Sequence, residues 1–208
     1  MKYDLHVHTA RYSPCALSSP DVVCRAAVDQ GLTGIALTEH DLWWPVSEYD
    51  KLRRRYPGLT IFHGVEYAVP EGHFLVFLPD PEQELPLLKD LANLVPAVRR
   101  YGGVLIWAHP FRYKRTPVGW LSRIRPGAME LASSNMTAAV QSLARETAAQ
   151  WQIPGLHNSD AHHIGSLGRF YNDLPVKLED NRDLVDYLKA LGRSERTPKD
   201  AMASAPRP

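Results

Sequence analysis

The chain has 208 residues, 44% of them hydrophobic and 23% charged, with Lys+Arg 24 against Asp+Glu 23 and a net charge of +1 with His neutral. That balance supplies a sizeable core and excludes a mostly disordered chain and a generally basic, nucleic-acid-coating surface. Two cysteines, Cys15 and Cys24, are too few for a disulfide scaffold. With no apolar run of the roughly 18–20 residues that span a membrane and no apolar signal region after Met1, the expected location is the cytoplasm.

In chain order, the apolar runs bounded by Gly and Pro predict strands over Lys2–His8, Gly34–Thr38, Thr60–Val69, His73–Leu78, Val104–His109, Ala128–Ala132 and Gly155–Ser159. Helices are expected over Pro20–Gln30, Val46–Arg55, Leu85–Tyr101 (bent or interrupted at Pro96), Thr137–Gln150 and Arg182–Leu191. Pro20 suits a first helical turn after Ser18 or Ser19, and Gly31 suits a stop. Alternating strands and helices predict βα units and a mostly parallel sheet. Seven strands fit a short barrel better than the eight-stranded kind, which takes about 250 residues. Residues 1–192 read as one domain and 193–208 as a disordered tail.

Five of these strands end in metal-type ligands. They are Asp4-Leu5-His6-Val7-His8, Thr38-Glu39-His40-Asp41, Gly64-Val65-Glu66, Ala108-His109-Pro110 and Ser159-Asp160-Ala161-His162. In parallel α/β folds the C-terminal strand ends converge on one face, so these groups are expected to meet. Side chains two apart on a strand share a side. On that pattern His6 and His8 grip one ion while Asp4 reaches a ligand to orient it. Imidazole with carboxylate suits zinc, manganese or iron. Eight candidate ligands, His6, His8, His40, Glu66, His73, His109, Asp160 and His162, imply two or three divalent ions.

These pieces, in this order from about Lys2 to Leu174, resemble the polymerase and histidinol phosphatase (PHP) family. The resemblance implies a distorted seven-stranded (β/α)7 barrel with up to three metals at the C-terminal ends of the strands. It implies a first ion on His6, His8, Glu66 and Asp160, a second on His40 and His162, and a third on Glu66, His73 and His109. Many members carry an Asp or His six residues after the second motif histidine, as a further ligand to the second ion. Pro14 stands there, and the adjacent Cys15 is the possible substitute.

The implied activity is hydrolysis of phosphate esters by metal-activated hydroxide, of the phosphatase and phosphoesterase kind. The expected partner is a small phosphorylated substrate, a nucleotide or an oligonucleotide end. Near-neutral charge argues against long duplexes. A non-phosphate metal hydrolase and a non-catalytic metal-binding module are the alternatives. Arg112, Lys114 and Arg115, directly after His109-Pro110, are candidate phosphate contacts, with Arg11 and Arg169 behind them. Asp41 reads either as an orienting or substrate-holding group or as a helix cap, and the Trp43-Trp44 pair either as a pocket wall or as packing. His63 and Cys24 read as core, and His163 as a possible proton donor at the rim.

Overall fold

The computed structural model describes residues 1–113 and 124–194. Seven strands fall where the sequence predicts them. They are β1 (Lys2–Val7), β2 (Gly34–His40), β3 (Thr60–Val69), β4 (Gly72–Phe77), β5 (Val104–Ala108), β6 (Ala128–Ala132) and β7 (Gly155–His157). A two-residue β8 (Asn172–Asp173) is added antiparallel to β1, giving one sheet in the order β7-β6-β5-β4-β3-β2-β1-β8. Beyond β7 the chain returns to β1. The Ala161 N–H donates to His6 O at 3.2 Å, and the His8 N–H donates to Ala161 O at 2.9 Å. This bridge nearly closes the sheet into the expected barrel.

Among the described residues, five helices accompany the strands: α1 (Pro20–Asp29), α2 (Val46–Arg55), α3 (Leu91–Arg100), α4 (Ala138–Trp151) and α5 (Asn181–Ser194). Pro20 opens α1 as predicted, although Ser19 at the cap makes no side-chain bond there. α3 starts later than the sequence pattern suggests. Leu85 precedes a proline, which disfavours helical backbone, and the Tyr67 hydroxyl ties down the Leu85 and Pro86 carbonyls. Asp90 then caps the helix by accepting the Asn93 N–H at 2.8 Å. The expected tail beyond Ser194 lies outside the described residues.

Two features of the sheet that the strand pattern does not reveal position the site. First, within the mostly parallel sheet β4 runs antiparallel to β3 and to β5. Only Pro70 and Glu71 separate β3 from β4, which leaves no room for a crossover helix. The start of β4 therefore lies beside the C-terminal ends of its neighbours, where His73 pairs with Ala68 and Ala108. Second, β1 carries an irregularity. Asp4 pairs with Ile35 but Val7 pairs with Leu37, so β1 holds one residue more than β2 over that stretch. An extra residue inverts the alternation of faces. His6 and His8 consequently face the barrel interior, and Asp4 faces away from them.

The lower barrel is filled by Tyr3, Leu5, Phe62, Leu75, Phe77 and Ile106, and α5 closes it with Leu184, Val185 and Leu188. Each of those three helix side chains is buried, worth about 1.5–3 kcal/mol relative to exposure. Lys189 of α5 reaches Gly102 O, just before β5. The apolar plug thus sits at one end of the barrel and the ligand-type residues at the other.

Candidate metal centre

Glu66 is the hub. It lies seven residues into β3, paired with His40 at the end of β2, and is fully buried. Its Oε1 is 2.8 Å from His109 Nε2 and 2.9 Å from His73 Nδ1. Its Oε2 is 2.9 Å from His40 Nδ1, 3.2 Å from His8 Nε2 and 3.3 Å from His6 Nε2. Asp160, after β7, places Oδ1 3.4 Å from the Nε2 atoms of both His6 and His8 and 3.5 Å from His162 Nδ1. All eight candidate ligands thus meet at one end of the barrel. They fall into four compact sets of one atom per residue: His6, His8 and Glu66; His6, His109 and Asp160; His40, Glu66 and His73; His8, His40 and His162.

Two of the candidate ligands sit on strained backbone. His109 has φ 24° and Asp160 φ 50°, left-handed conformations that residues with a side chain seldom adopt. Such strain persists where surrounding contacts over-determine it. The His109 N–H donates to Glu130 Oε2 at 2.6 Å, and Asn135 Nδ2 donates to Asp160 Oδ2 at 2.6 Å.

The donor set fits cations. Glu66 Oε2 and Asp160 Oδ1 are buried and accept no hydrogen bond from any described residue, although imidazole nitrogens crowd both. Among His6 Nε2, His8 Nε2, Glu66 Oε2 and Asp160 Oδ1, five separations run from 3.0 to 3.4 Å. A tetrahedral ion with bonds of about 2.0–2.1 Å spaces its ligands by about 3.3 Å.

The charges agree. Burial opposes a proton on His6, but Asp160, Glu130 and Glu66 outweigh it and hold its pKa well above the ordinary value. Burial likewise opposes a charged Glu66, and the imidazoles, led by His6, hold it well below the usual carboxylate range. Asp160 is held low in the same way, with burial opposing and His6 and His8 prevailing. A field that draws in protons at these atoms also draws in metal ions.

Groups outside the predicted set hydrogen-bond to these side chains. Glu130, in the middle of β6, accepts from His6 Nδ1 at 2.8 Å and from Asn158 Nδ2 at 2.8 Å. Ser13 Oγ lies 3.2 Å from His8 Nδ1 and donates to Glu39. Glu130 was legible as a lone carboxylate in an otherwise apolar strand. Glu39 stands inside the Thr38-Glu39-His40-Asp41 motif and Ser13 just before Pro14, neither with a local pattern that singles it out.

The expectation that Asp4 reaches an imidazole is corrected. Because the irregularity in β1 turns it away, its carboxylate instead accepts the Ser159 N–H at 3.0 Å, the Ser159 hydroxyl and the Gly168 N–H at 3.1 Å. Burial pushes its pKa up to about 6 despite these bonds. It holds the backbone that leads into Asp160. Asp41 accepts the Ala68 N–H at 2.9 Å, so it straps β2 to β3 and caps no helix.

A cleft of about 400 Å³ opens beside the cluster, lined among others by Cys15, Arg112, Asn135, Asp160, His162 and Arg169. Arg112 Nη1 approaches Asp160 Oδ2 at 3.5 Å. Cys15 borders this cleft, but its sulfur joins none of the ligand sets, and burial pushes its thiol up. Arg11 does not reach the site, because Glu48 holds its guanidinium at 3.0 and 3.1 Å. Lys114 and Arg115 lie outside the described residues. Trp43 and Trp44 are buried, donating to Tyr67 and Glu39, and are packing. Cys24 and His63 are core.

Comparison with known proteins agrees with this geometry. The PHP domain model matches residues 4–121 and the PHP-associated model residues 141–191. The chain belongs to the PHP domain family. Among solved structures it is similar to a protein described as a metal-dependent phosphoesterase from Bifidobacterium adolescentis. That pair shares 16% identity at a TM-score of 0.67, over 91% of this chain and 96% of the other. An amidohydrolase from Chromobacterium violaceum, with bound sulfate and no metal, matches at 16% identity and TM-score 0.68, over 92% and 97% of the two chains. PsfC from Pseudomonas syringae matches at 18% identity and TM-score 0.66, over 97% and 98%. No match was found among curated proteins.

Proposed function

We propose that the chain is a metal-dependent phosphoesterase acting on small phosphomonoesters or nucleotide-type ends, with manganese, zinc or iron as the ion. The observation that carries the reading is the juxtaposition of Glu66, shared among five imidazoles, with a cleft that Arg112 and Arg169 both line. Divalent ions held by these residues supply Lewis acidity toward a phosphoryl oxygen and toward an attacking water. Glu66 contributes an oxygen to two ligand sets and so fixes their spacing. Arg112 and Arg169 offer forked donors to the oxygens that are not transferred. His163 lines the same cleft, and its Nδ1 accepts the Gly165 N–H at 3.1 Å. With Nδ1 taken up by that N–H, Nε2 is the ring nitrogen left to offer a hydrogen bond to the oxygen of a leaving group. The sulfate in the Chromobacterium violaceum neighbour supports an oxyanion in this kind of fold.

Among the described residues no helix is long and apolar enough to cross a membrane. The two free cysteines support the cytoplasm as the compartment.

The test is phosphate release from a panel of phosphomonoesters and nucleotides by protein loaded separately with manganese, zinc and iron. Turnover that a chelator abolishes supports the reading. Hydrolysis of amide or carboxylic ester substrates without phosphate release would replace it with a carbonyl hydrolase. No turnover with any ion would leave a metal-binding module.

A further inference from the structure

Glu39 is fully buried and makes no ion pair among the described residues. Its charge is met by hydrogen bonds instead. Oε1 accepts the Thr9 hydroxyl at 2.5 Å, the Thr9 N–H at 3.2 Å and the Trp44 indole N–H at 3.1 Å. Oε2 accepts the Thr9 N–H at 3.1 Å and the Ser13 hydroxyl at 2.5 Å. This cage surrounds a carboxylate that touches no candidate ligand directly, and the metal centre described above gives it no role.

The role follows from counting protons on Ser13. The Thr9 N–H reaches both Glu39 oxygens and the Trp44 N–H reaches Oε1, and since these groups only donate, Glu39 accepts at both oxygens and the single hydroxyl proton of Ser13 goes to it. The His40 N–H, at 3.3 Å from Ser13 Oγ, only donates, so it takes one lone pair. The remaining lone pair faces His8 Nδ1 at 3.2 Å and can only accept. His8 is thereby required to carry its proton at Nδ1. Its Nε2 lone pair then points at Glu66 Oε2 and Asp160 Oδ1, 3.2 and 3.4 Å away, an arrangement that favours a cation between them.

We propose that Glu39 is a positioning residue that acts through Ser13 to fix the tautomer of His8 and so to present Nε2 to a metal ion. The proposal rests on the metal centre and is independent of the substrate. It also separates the two motif histidines, since His6 is held by a carboxylate directly and His8 through an intervening hydroxyl.

The isosteric variant Glu39→Gln makes a specific prediction. Three donors face Oε1, so the amide oxygen stays there and the amide NH₂ turns toward Ser13. Ser13 Oγ then receives that NH₂ and the His40 N–H, and directs its own proton to His8 Nδ1. The His8 proton moves to Nε2, where it blocks ligation. Zinc affinity is measured by competition with a chromophoric chelator for the parent, Glu39→Gln, Ser13→Ala and the double variant. Thermal unfolding of each metal-free form reports folding separately.

Each single variant is expected to lose about ten- to a hundredfold in affinity at the tightest site. The double variant is expected to lose no more than the worse single one, because the two residues act in series. Nitrogen-15 spectra of the zinc-loaded protein should show His8 protonated at Nδ1 alone, and the proton at Nε2 in Glu39→Gln at the same zinc concentration. Affinities within twofold of the parent in both single variants would overturn the proposal. So would losses that multiply in the double variant, or a His8 tautomer that Glu39→Gln leaves unchanged.

Discussion

Glu130 Oε1 stands 2.8 Å from Nδ1 of His6, and both side chains are fully buried inside the barrel. The second oxygen of Glu130 takes the His109 N–H at 2.6 Å. One carboxylate on β6 therefore orients a ligand from β1 and a ligand after β5. No described Lys or Arg pairs with it.

Both Glu130 oxygens face donors, so Glu130→Gln must set its NH₂ against one of them. Metal affinity is expected to fall about ten- to a hundredfold, and the fold to lose about 1–3 kcal/mol for the donor left unpaired. Chelator competition reads the first and denaturant unfolding of the metal-free protein reads the second. Unchanged affinity would mean that the ligands hold their own orientation.

Arg112→Ala and Arg169→Ala separate the cleft from the metal centre. A charged hydrogen bond to phosphate is worth about 1.5–3 kcal/mol. Losing one should lower kcat/KM by about ten- to two-hundredfold while the metal content stays at the parent level. If both variants stay within about twofold of the parent, the phosphate binds elsewhere.

His63 gives the pH dependence a sign. Burial pushes its pKa down to about 4, and its Nε2–H donates to Trp44 O at 2.9 Å. Unfolded, it takes a proton near pH 6.5. Between these values the unfolded chain binds more protons, so stability is lost as pH falls from about 6.5 to about 4, by roughly 3 kcal/mol. Denaturant unfolding of metal-free parent and His63→Gln should show a difference that shrinks across this window. A difference independent of pH would contradict the assignment.

The sequence carried the strand positions and the convergence of the eight candidate ligands because apolar runs ending in His, Asp or Glu are local patterns. It carried His73 less clearly. That residue opens a strand, and only the antiparallel course of β4, set by the short Pro70-Glu71 turn, brings it to the ligand end. Asp4 was misplaced because strict alternation assumes a regular strand, and the extra residue in β1 depends on its pairing with β2. Arg11 failed for a tertiary reason, its pairing with Glu48 on α2. The contacts that link Glu39 to His8 through Ser13 join separate segments around one hydroxyl, which no local pattern shows.

On the proposed reading, Glu66 ties several ions into one centre. Elemental analysis of protein reconstituted in mild metal excess, for the parent and for Glu66→Gln, tests it most directly. More than one ion per chain is expected in the parent. In Glu66→Gln, which keeps the shape but removes the charge shared by five imidazoles, at least two ions should bind more weakly and turnover should collapse. At most one equivalent in the parent, or full metal and activity in Glu66→Gln, would contradict it.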